Sequence, residues 1–351
     1  MKLIVYCGLH KTGTSTIQNA CARHRDTLMD RGIFYPLAKG LRGGESPANH
    51  SRLVRQAFRS HLPLSFSGKE YKSKDSLKEN TGKQATQGLL DNMLYRAQGR
   101  DMLIIAENIS TLSEEELQEF AEFFAKRSYS IELYCCLRRP KEWLNSLLAQ
   151  RVAGEQGPGL VMPHAIVDLL KQNAGVAARA RKMESWQSDC HFFSFEQAIA
   201  HPQGLFANFL ELIGLETLEL DVSRRDNSRY SDLAVRLISQ LMSSFGHRTF
   251  SVQANNLFLY LQRLPLLKQL PGRSFSLLAR EVKPFESRLA ADNEWLGEKF
   301  GSKFCDSSAR FPTELEPIDL IEALELLQNS HIEYDNVRQA IEKVLRTWPR
   351  Q

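Results

Sequence analysis

Four short runs of mostly apolar residues recur within the first 195 positions, and none of them alternates strictly between apolar and polar residues. A strand that is covered by helices on both faces has this continuous apolar character. Segments with helical spacing separate the runs, and alternating strands and helices are typical of parallel βαβ units with right-handed crossovers. The predicted strands are residues 3–7, 102–106, 131–137 and 191–195.

Between the runs, the spacing of apolar positions predicts helices over residues 14–29, 113–127 and 140–152. The second opens on Ser113 with Glu116 three positions later, which is a capping box, and the third has Pro140 at its first helical position. From about residue 229 onward the pattern is helical. We therefore predict an α/β core in residues 1–225 and a mainly helical C-terminal portion in residues 226–351, packed on that core.

Stretches rich in glycine, proline, serine or lysine interrupt this pattern at residues 38–50, 65–88 and 153–163. Long segments of this kind are usually functional or disordered. We expect a mobile surface loop at about residues 60–90, either as a lid or as a solvated segment without a role.

Composition narrows the class of protein. Hydrophobic residues at 42% and charged residues at 25% are ordinary for a globular protein, and the net charge of +4 indicates mild attraction to anions without a nucleic-acid-binding arm. We find no transmembrane segment and no signal peptide, and we predict a cytoplasmic location. The six cysteines lack C-x-x-C or metal-ligand spacing, which favours a reducing compartment and no metal site.

The segment between the first strand and the first helix, residues 8–16, combines two glycines, one lysine and four hydroxyl side chains. The first N–H groups of a helix lack internal partners and attract anions. Lys11 adds a mobile cation, and Gly8 and Gly13 let the backbone approach a ligand. We interpret the segment as a phosphate-binding loop, and an ordinary strand-to-helix turn is the alternative. The hydroxyl donors are Thr12, Thr14, Ser15 and Thr16.

The position of the lysine distinguishes this loop from that of nucleotide triphosphatases. In G-x-x-x-x-G-K-[ST] the lysine follows the last glycine, whereas Lys11 precedes Gly13. The chain therefore departs from the kinase and GTPase pattern.

A second motif, Arg138-Arg139-Pro140, follows the third predicted strand, with Ser146 on the helix after it. The carboxyl edge of a parallel sheet is where ligands bind in open α/β folds. An arginine fork with a hydroxyl suits a second phosphate. Pairing of the arginines with surface acids is the alternative.

Together, H-K-T-G-T-S-T and R-R-P-K-E-x-x-x-S resemble the sulfotransferase family that uses 3′-phosphoadenosine 5′-phosphosulfate. Residues 193–202 and 206–215 resemble the strand and helix that follow in that family. The resemblance covers residues 1–215 well and the remainder loosely, and the late R-K-G segment of cytosolic eukaryotic members is not recognisable, which favours a bacterial or carbohydrate-type branch. It implies that Arg138 and Ser146 bind the 3′-phosphate and that the first loop binds the 5′-phosphosulfate through His10, Lys11, Thr12, Gly13, Thr14, Ser15 and Thr16.

Transfer to a hydroxyl or amine requires a general base. Glu107 follows the second predicted strand and should stand at the same edge as Lys11. His50 and His10 are the other candidates, ranked in that order, and both Glu107 and His50 have structural alternatives. We place Lys11, Glu107 and His50 in the catalytic set, with Lys11 stabilising charge on the sulfuryl group by analogy with phosphoryl transfer.

We therefore predict a P-loop-like α/β sulfotransferase that needs no metal and acts on an acceptor hydroxyl of a carbohydrate or glycan-like molecule. Adenosine 3′,5′-bisphosphate would be the second product. A small-molecule kinase and a non-catalytic nucleotide-binding protein of the same fold are the alternatives. The acceptor, the choice of base and the oligomeric state are left open.

Overall fold

Five parallel strands of the described residues form one sheet in the order β2-β3-β1-β4-β5, so the predicted parallel α/β architecture is confirmed. The structure, a computed structural model, describes residues 1–9, 11–38, 47–59, 76–153, 161–171, 175–215, 230–244, 264, 266–306, 310–315, 320–332 and 335–347. The strands are β1 (Lys2–Gly8), β2 (Ile33–Phe34), β3 (Asp101–Ile105), β4 (Ser130–Leu137) and β5 (Cys190–Ser194).

The central strand β1 is buried on both faces. Leu3 pairs with Met102 of β3 on one side and with Ile131 of β4 on the other. The side chains of Leu3, Val5 and Cys7 join one hydrophobic cluster, and those of Ile4 and Tyr6 join a second cluster across the sheet. This double burial is the reason that the apolar run is continuous.

In the described part of the chain, one face of the sheet is covered by α1 (Thr14–Arg23), α2 (Arg25–Asp30), α9 (Phe195–Ala200) and α10 (Gly204–Leu212). The prediction of one helix over 14–29 is wrong at His24, where ψ is 22° and the chain leaves helical geometry. The strand β2 was not predicted, because two residues are too few to give a periodic signal.

The opposite face carries the remaining helices, and one continuous hydrophobic cluster joins Val5 of the sheet to Leu233 and Phe285 of the C-terminal portion. The C-terminal helices therefore complete the core on this face. The α-helices are α3 (Ser51–Phe58), α4 (Ser76–Ala97), α5 (Glu114–Ala125), α6 (Pro140–Ala153), α7 (Met162–Lys171), α8 (Val176–Trp186), α11 (Asp232–Ser244), α12 (Leu266–Gln269), α13 (Ala279–Val282), α14 (Glu286–Phe300), α15 (Leu320–Gln328) and α16 (Asp335–Thr347), with 3₁₀ turns at Glu107–Thr111 and Lys283–Phe285.

The capping box predicted for α5 is present. The Ser113 hydroxyl accepts a hydrogen bond from the Glu116 N–H at 3.2 Å, and the Glu116 carboxylate accepts one from the Ser113 N–H at 2.9 Å.

The expectation of a loop at residues 60–90 is wrong for its second half, because α4 begins at Ser76. Its polar residues gave no clear apolar stripe, yet tertiary contacts hold the helix. Gln87 donates to the Ala57 carbonyl at 3.0 Å, and Lys83 pairs with Glu119 at 2.6 Å. Residues 60–75 lie outside the described residues, as do 39–46 and 154–160 in the other two irregular stretches. Across the described ranges, no helix is both long enough and apolar enough to cross a bilayer.

Candidate functional site

Three chain segments with polar side chains converge where β1, β3 and β4 end. The loop after Gly8, the turn that opens on Glu107 and the segment that begins with Arg138 each follow one of these neighbouring strands. Parallel strands bring their carboxyl ends to one edge, which is where open α/β sheets bind ligands.

The loop between β1 and α1 has a defined backbone. Lys11 has φ of 69° and Gly13 has φ of 75°. A positive φ is unusual for a lysine, and such residues cluster at ligand sites. The buried Thr12 hydroxyl donates to the Leu9 carbonyl at 2.6 Å, and the Tyr6 hydroxyl donates to the Thr12 carbonyl at 3.2 Å. These bonds fix the loop in place before any ligand arrives.

Close packing explains the two glycines of the loop. A Cβ atom on Gly8 would lie 2.3 Å from the Thr12 Oγ1 and 2.8 Å from the Thr14 Oγ1, and one on Gly13 would lie 2.2 Å from the Leu205 Cδ2. Neither site has room for a side chain. The Thr14 hydroxyl is buried and has no hydrogen-bond partner among the described residues. A buried hydroxyl in that state is costly, and a phosphate oxygen would satisfy it.

The helix that follows the loop presents its N-terminus to the edge. The Gly13 carbonyl accepts hydrogen bonds from the Thr16 and Ile17 N–H groups at 2.9 and 3.2 Å. The helical ladder therefore begins at Thr16, and the amides of Thr14 and Ser15 precede it. Amides in this position, with the helix dipole behind them, favour an anion.

Arg138 reaches this loop directly. Its Nη1 donates to the Lys11 carbonyl at 2.9 Å, and its side chain is only 5% exposed. Glu196 lies 3.7 Å from the Nε, and Glu142 lies 3.9 Å from the Nη2. The sequence left two roles open for this arginine, a ligand-binding role beside the loop and pairing with acidic residues. The structure contains features of both, because Arg138 contacts the loop and also faces two carboxylates. Burial raises the pKa of Glu196.

Ser146 is the predicted 3′-phosphate ligand that the structure does not bring to Arg138. Ser146 is half-buried on the second turn of α6, and no hydrogen bond joins it to Arg138 within the described part of the chain. His10 lies outside the described residues.

Glu107 stands at the carboxyl edge of β3, as predicted. Its N–H donates to the Ser51 hydroxyl at 3.1 Å, and its carbonyl accepts from the Ser110 hydroxyl at 2.9 Å. The residue is half-buried. The backbone on both sides of its carboxylate is thereby held in one position at the edge.

His50 is fully buried, and backbone groups occupy both of its ring nitrogens. Its Nδ1 accepts from the Ile105 N–H at 3.0 Å, and its Nε2 lies 2.7 Å from the Pro36 carbonyl. The first bond requires Nδ1 to be unprotonated, so Nε2 carries the proton. Burial lowers the pKa of His50 to about 4. The ring has no lone pair left to accept a substrate proton, so this geometry supports a structural role for His50 and does not support the predicted role as a base.

Arg179 was not identified from the sequence. It lies in the first turn of α8, is 8% exposed, and its Nη1 donates to the Ser110 hydroxyl at 3.3 Å. Its neighbours on the same helix face, Val176, Ala180 and Met183, are fully buried. An arginine in the apolar stripe of a helix was the available signal.

No cluster of three or more histidine, cysteine, aspartate or glutamate side chains within the described ranges is arranged to hold a metal ion.

No protein-family model matches the chain, and no curated protein matches it. Among solved structures, the chain is similar to the sulfotransferase domain from the curacin biosynthetic pathway, with 14% sequence identity and a TM-score of 0.38. The match covers 64% of this chain and 78% of that domain. A likeness of this size carries no argument about function, which has to rest on the geometry of the site.

Proposed function

We propose that the chain is a sulfotransferase that moves a sulfuryl group from 3′-phosphoadenosine 5′-phosphosulfate to an acceptor hydroxyl. The observation that carries the proposal is the 2.9 Å hydrogen bond from Arg138 to the Lys11 carbonyl. It joins the two motifs assigned to the two ends of the nucleotide, although they are 127 residues apart in the chain. A single adenosine bisphosphate would have to meet both motifs, so their contact supports the proposal.

The loop also has the properties that a bound phosphosulfate requires. The Thr14 hydroxyl is buried without a partner among the described residues, and the first amides of α1 precede its hydrogen-bond ladder. These groups are hydrogen-bond donors, and the charged oxygens of a phosphosulfate are acceptors. The donor set therefore fits an anionic oxygen ligand.

When bound, the sulfonucleotide would supply the sulfuryl group for transfer. Lys11 would stabilise negative charge that grows on the sulfuryl and bridging oxygens, and the α1 amides would hold the 5′-phosphate in line. Glu107, at the same edge, would accept the proton of the acceptor hydroxyl. We extend the proposal to a carbohydrate or glycan-like acceptor, which rests on the resemblance of the motifs.

The first test is a comparison of two nucleotides by thermal unfolding of the full chain. Adenosine 3′,5′-bisphosphate at 100 times its dissociation constant should stabilise the protein by about 2.7 kcal/mol, and ATP with magnesium should not match it. The opposite preference would refute the assignment and favour a small-molecule kinase. Binding of the bisphosphate without sulfuryl transfer to any acceptor in a glycan panel would favour a non-catalytic protein.

Variants then separate binding from chemistry. Arg138→Lys keeps the positive charge but removes the planar guanidinium with its paired N–H donors. We therefore expect the dissociation constant of the bisphosphate to rise about tenfold or more. Arg139→Lys is the matched control, since it makes the same change one residue away, and it should bind almost as the parent does. Equal losses in both variants would contradict the assignment of Arg138.

Two further variants address transfer itself, measured with radiolabelled sulfonucleotide. Lys11→Ala should lower kcat by about 10²- to 10³-fold. Glu107→Gln should lower kcat while leaving bisphosphate affinity unchanged, because it removes the proton acceptor and keeps the shape. Full transfer by Glu107→Gln would exclude that carboxylate as the base.

A further inference from the structure

A buried cation lies on the side of the sheet edge opposite to the nucleotide loop. The loop continues into α1, whose apolar side chains pack on one face of the sheet, whereas α8, which carries Arg179, packs on the other face. The hydrogen bond from Arg179 to Ser110 places the guanidinium at the 3₁₀ turn that opens on Glu107. The turn that carries the proposed base is therefore in direct contact with Arg179.

The charge of Arg179 is poorly compensated. Its Nε is buried and has no hydrogen-bond partner among the described residues, and no carboxylate in those ranges forms an ion pair with it. Burial lowers the pKa of Arg179, and the positive charge of Arg151 lowers it further, while Glu107 acts in the opposite direction. A buried charge without a carboxylate partner is unfavourable, and an anionic ligand would compensate it.

A second unsatisfied donor lies beside it. The Arg179 guanidinium lies over the Trp143 ring, with its Cζ 5.9 Å from the ring centroid, and this cation–π contact offsets only part of the charge. The Trp143 Nε1 is buried, and it too has no hydrogen-bond partner within the described part of the chain. By contrast, Arg151 has Asp168 at 3.3 Å as a counter-ion. The group thus offers two spare N–H donors and an excess of positive charge.

We propose that Arg179 and Trp143 form an acceptor subsite for an anionic oxygen group, so that the acceptor carries a carboxylate or a sulfate in addition to its reacting hydroxyl. An oxyanion would accept from both donors and neutralise the guanidinium, with its hydroxyl toward Glu107. That the bound anion is a sulfuryl acceptor rests on the proposed sulfotransferase function. Whether the subsite binds an anion can be tested independently of that function.

The test measures binding to the full chain saturated with adenosine 3′,5′-bisphosphate, so that the nucleotide loop is occupied. Calorimetric titrations would use methyl glucuronide, the neutral methyl glucoside and inorganic sulfate. We expect the glucuronide and sulfate to bind and the glucoside to bind at least about tenfold more weakly, since it lacks a charged oxygen. A glucoside that binds as well as the glucuronide would overturn the proposal. Binding of sulfate alone would identify a site for a sulfated group, and binding of the glucuronide alone would identify a site for a carboxylate.

Arg179→Met tests the residue itself. Anion binding should fall about tenfold or more, and the midpoint of thermal unfolding without ligand should stay the same or rise, because an uncompensated buried charge is removed. A purely structural arginine would show the reverse pattern, with a lower midpoint and unchanged anion binding. Arg181→Met is the control, since Arg181 is exposed on the same helix and carries the same charge.

Trp143→Phe provides a second variant that keeps the core filled. It removes only the indole N–H and part of the ring, so we expect anion affinity to fall severalfold with folding preserved. Anion binding that is unchanged in both Arg179→Met and Trp143→Phe would overturn the subsite. If the bisphosphate fails to bind at all, the proposed function fails, and the same anion titrations on the unliganded chain still decide whether this subsite exists.

Discussion

Acid should destabilise this protein through one histidine. In the fold His50 is buried and neutral, and burial lowers its pKa from the usual 6.5 to about 4. In the unfolded chain the same ring takes up a proton near pH 6.5. Between these values the unfolded state binds more protons than the folded state, so stability increases with pH and is lost as pH falls.

The size of the effect follows from the two pKa values. At about 1.4 kcal/mol per pKa unit, the full difference is about 3.5 kcal/mol well below pH 4, and about 2.5 kcal/mol of it is already lost at pH 4.5. His50 is fully buried, so solvent screening does not reduce this figure. A loss of this size is a large part of the stability of a typical domain.

Urea unfolding of the parent and of His50→Gln at pH 7 and pH 4.5 measures the effect. The variant keeps a donor for the Pro36 carbonyl but leaves the Ile105 N–H without its acceptor, so it should be about 1–3 kcal/mol less stable at pH 7. It should also lose about 2.5 kcal/mol less than the parent on acidification. His331→Gln, at an exposed position, serves as the control and should match the parent.

Parallel losses in the parent and His50→Gln would refute this reasoning, since all other titrating groups are common to both proteins. Sulfuryl transfer by folded His50→Gln would agree with a structural ring. Complete loss of transfer, with unchanged stability and pH dependence, would restore the histidine as a base.

Three further substitutions test the packing that positions the site, each by chemical denaturation. Gly13→Ala should lower the free energy of unfolding by about 1–3 kcal/mol or more, because it adds a positive-φ penalty and a clash with Leu205 of α10. Gly214→Ala is the control: its φ is similar and the space around it is open, so it should show the φ penalty alone. Gly175→Ala would place a Cβ 2.2 Å from the Asp292 carboxylate, which caps α8 through two N–H groups, so we expect a loss of about 2 kcal/mol and weaker anion binding. Ser113→Ala removes the α5 cap and should cost about 1 kcal/mol; a neutral result for any of the three would contradict the corresponding contact.

Local pattern was sufficient for the framework of the fold. Every end of the four predicted strands lies within one residue of the corresponding end of β1, β3, β4 or β5. The agreement is close because burial on both faces imposes continuous apolar character on each segment. The cap of α5 was readable for a similar reason, since Ser113 and Glu116 satisfy each other within a single turn. Where a segment's own residues decide its conformation, sequence alone sufficed.

Elements held by distant contacts were missed. The part of α4 up to about residue 90 was expected to be a loop, but contacts with distant residues hold it as a helix. Gln87 donates to the Ala57 carbonyl, and Lys83 pairs with Glu119. The break at His24 and the two-residue strand β2 likewise give no periodic signal in the sequence. The break is a change of backbone geometry at one residue, and β2 is defined by its pairing with β3.

For the site, the sequence by itself determined which residues reach the carboxyl edge of the sheet, because a motif directly after a parallel strand has nowhere else to lie. It placed Lys11, Glu107 and Arg138 there. Only the tertiary structure decided what each neighbour does: it buried His50 between two backbone groups, brought Arg138 onto the Lys11 carbonyl, and left Arg179 without a counter-ion in the described part of the chain. Burial and pairing depend on side chains that are far apart in sequence, and no local pattern records them.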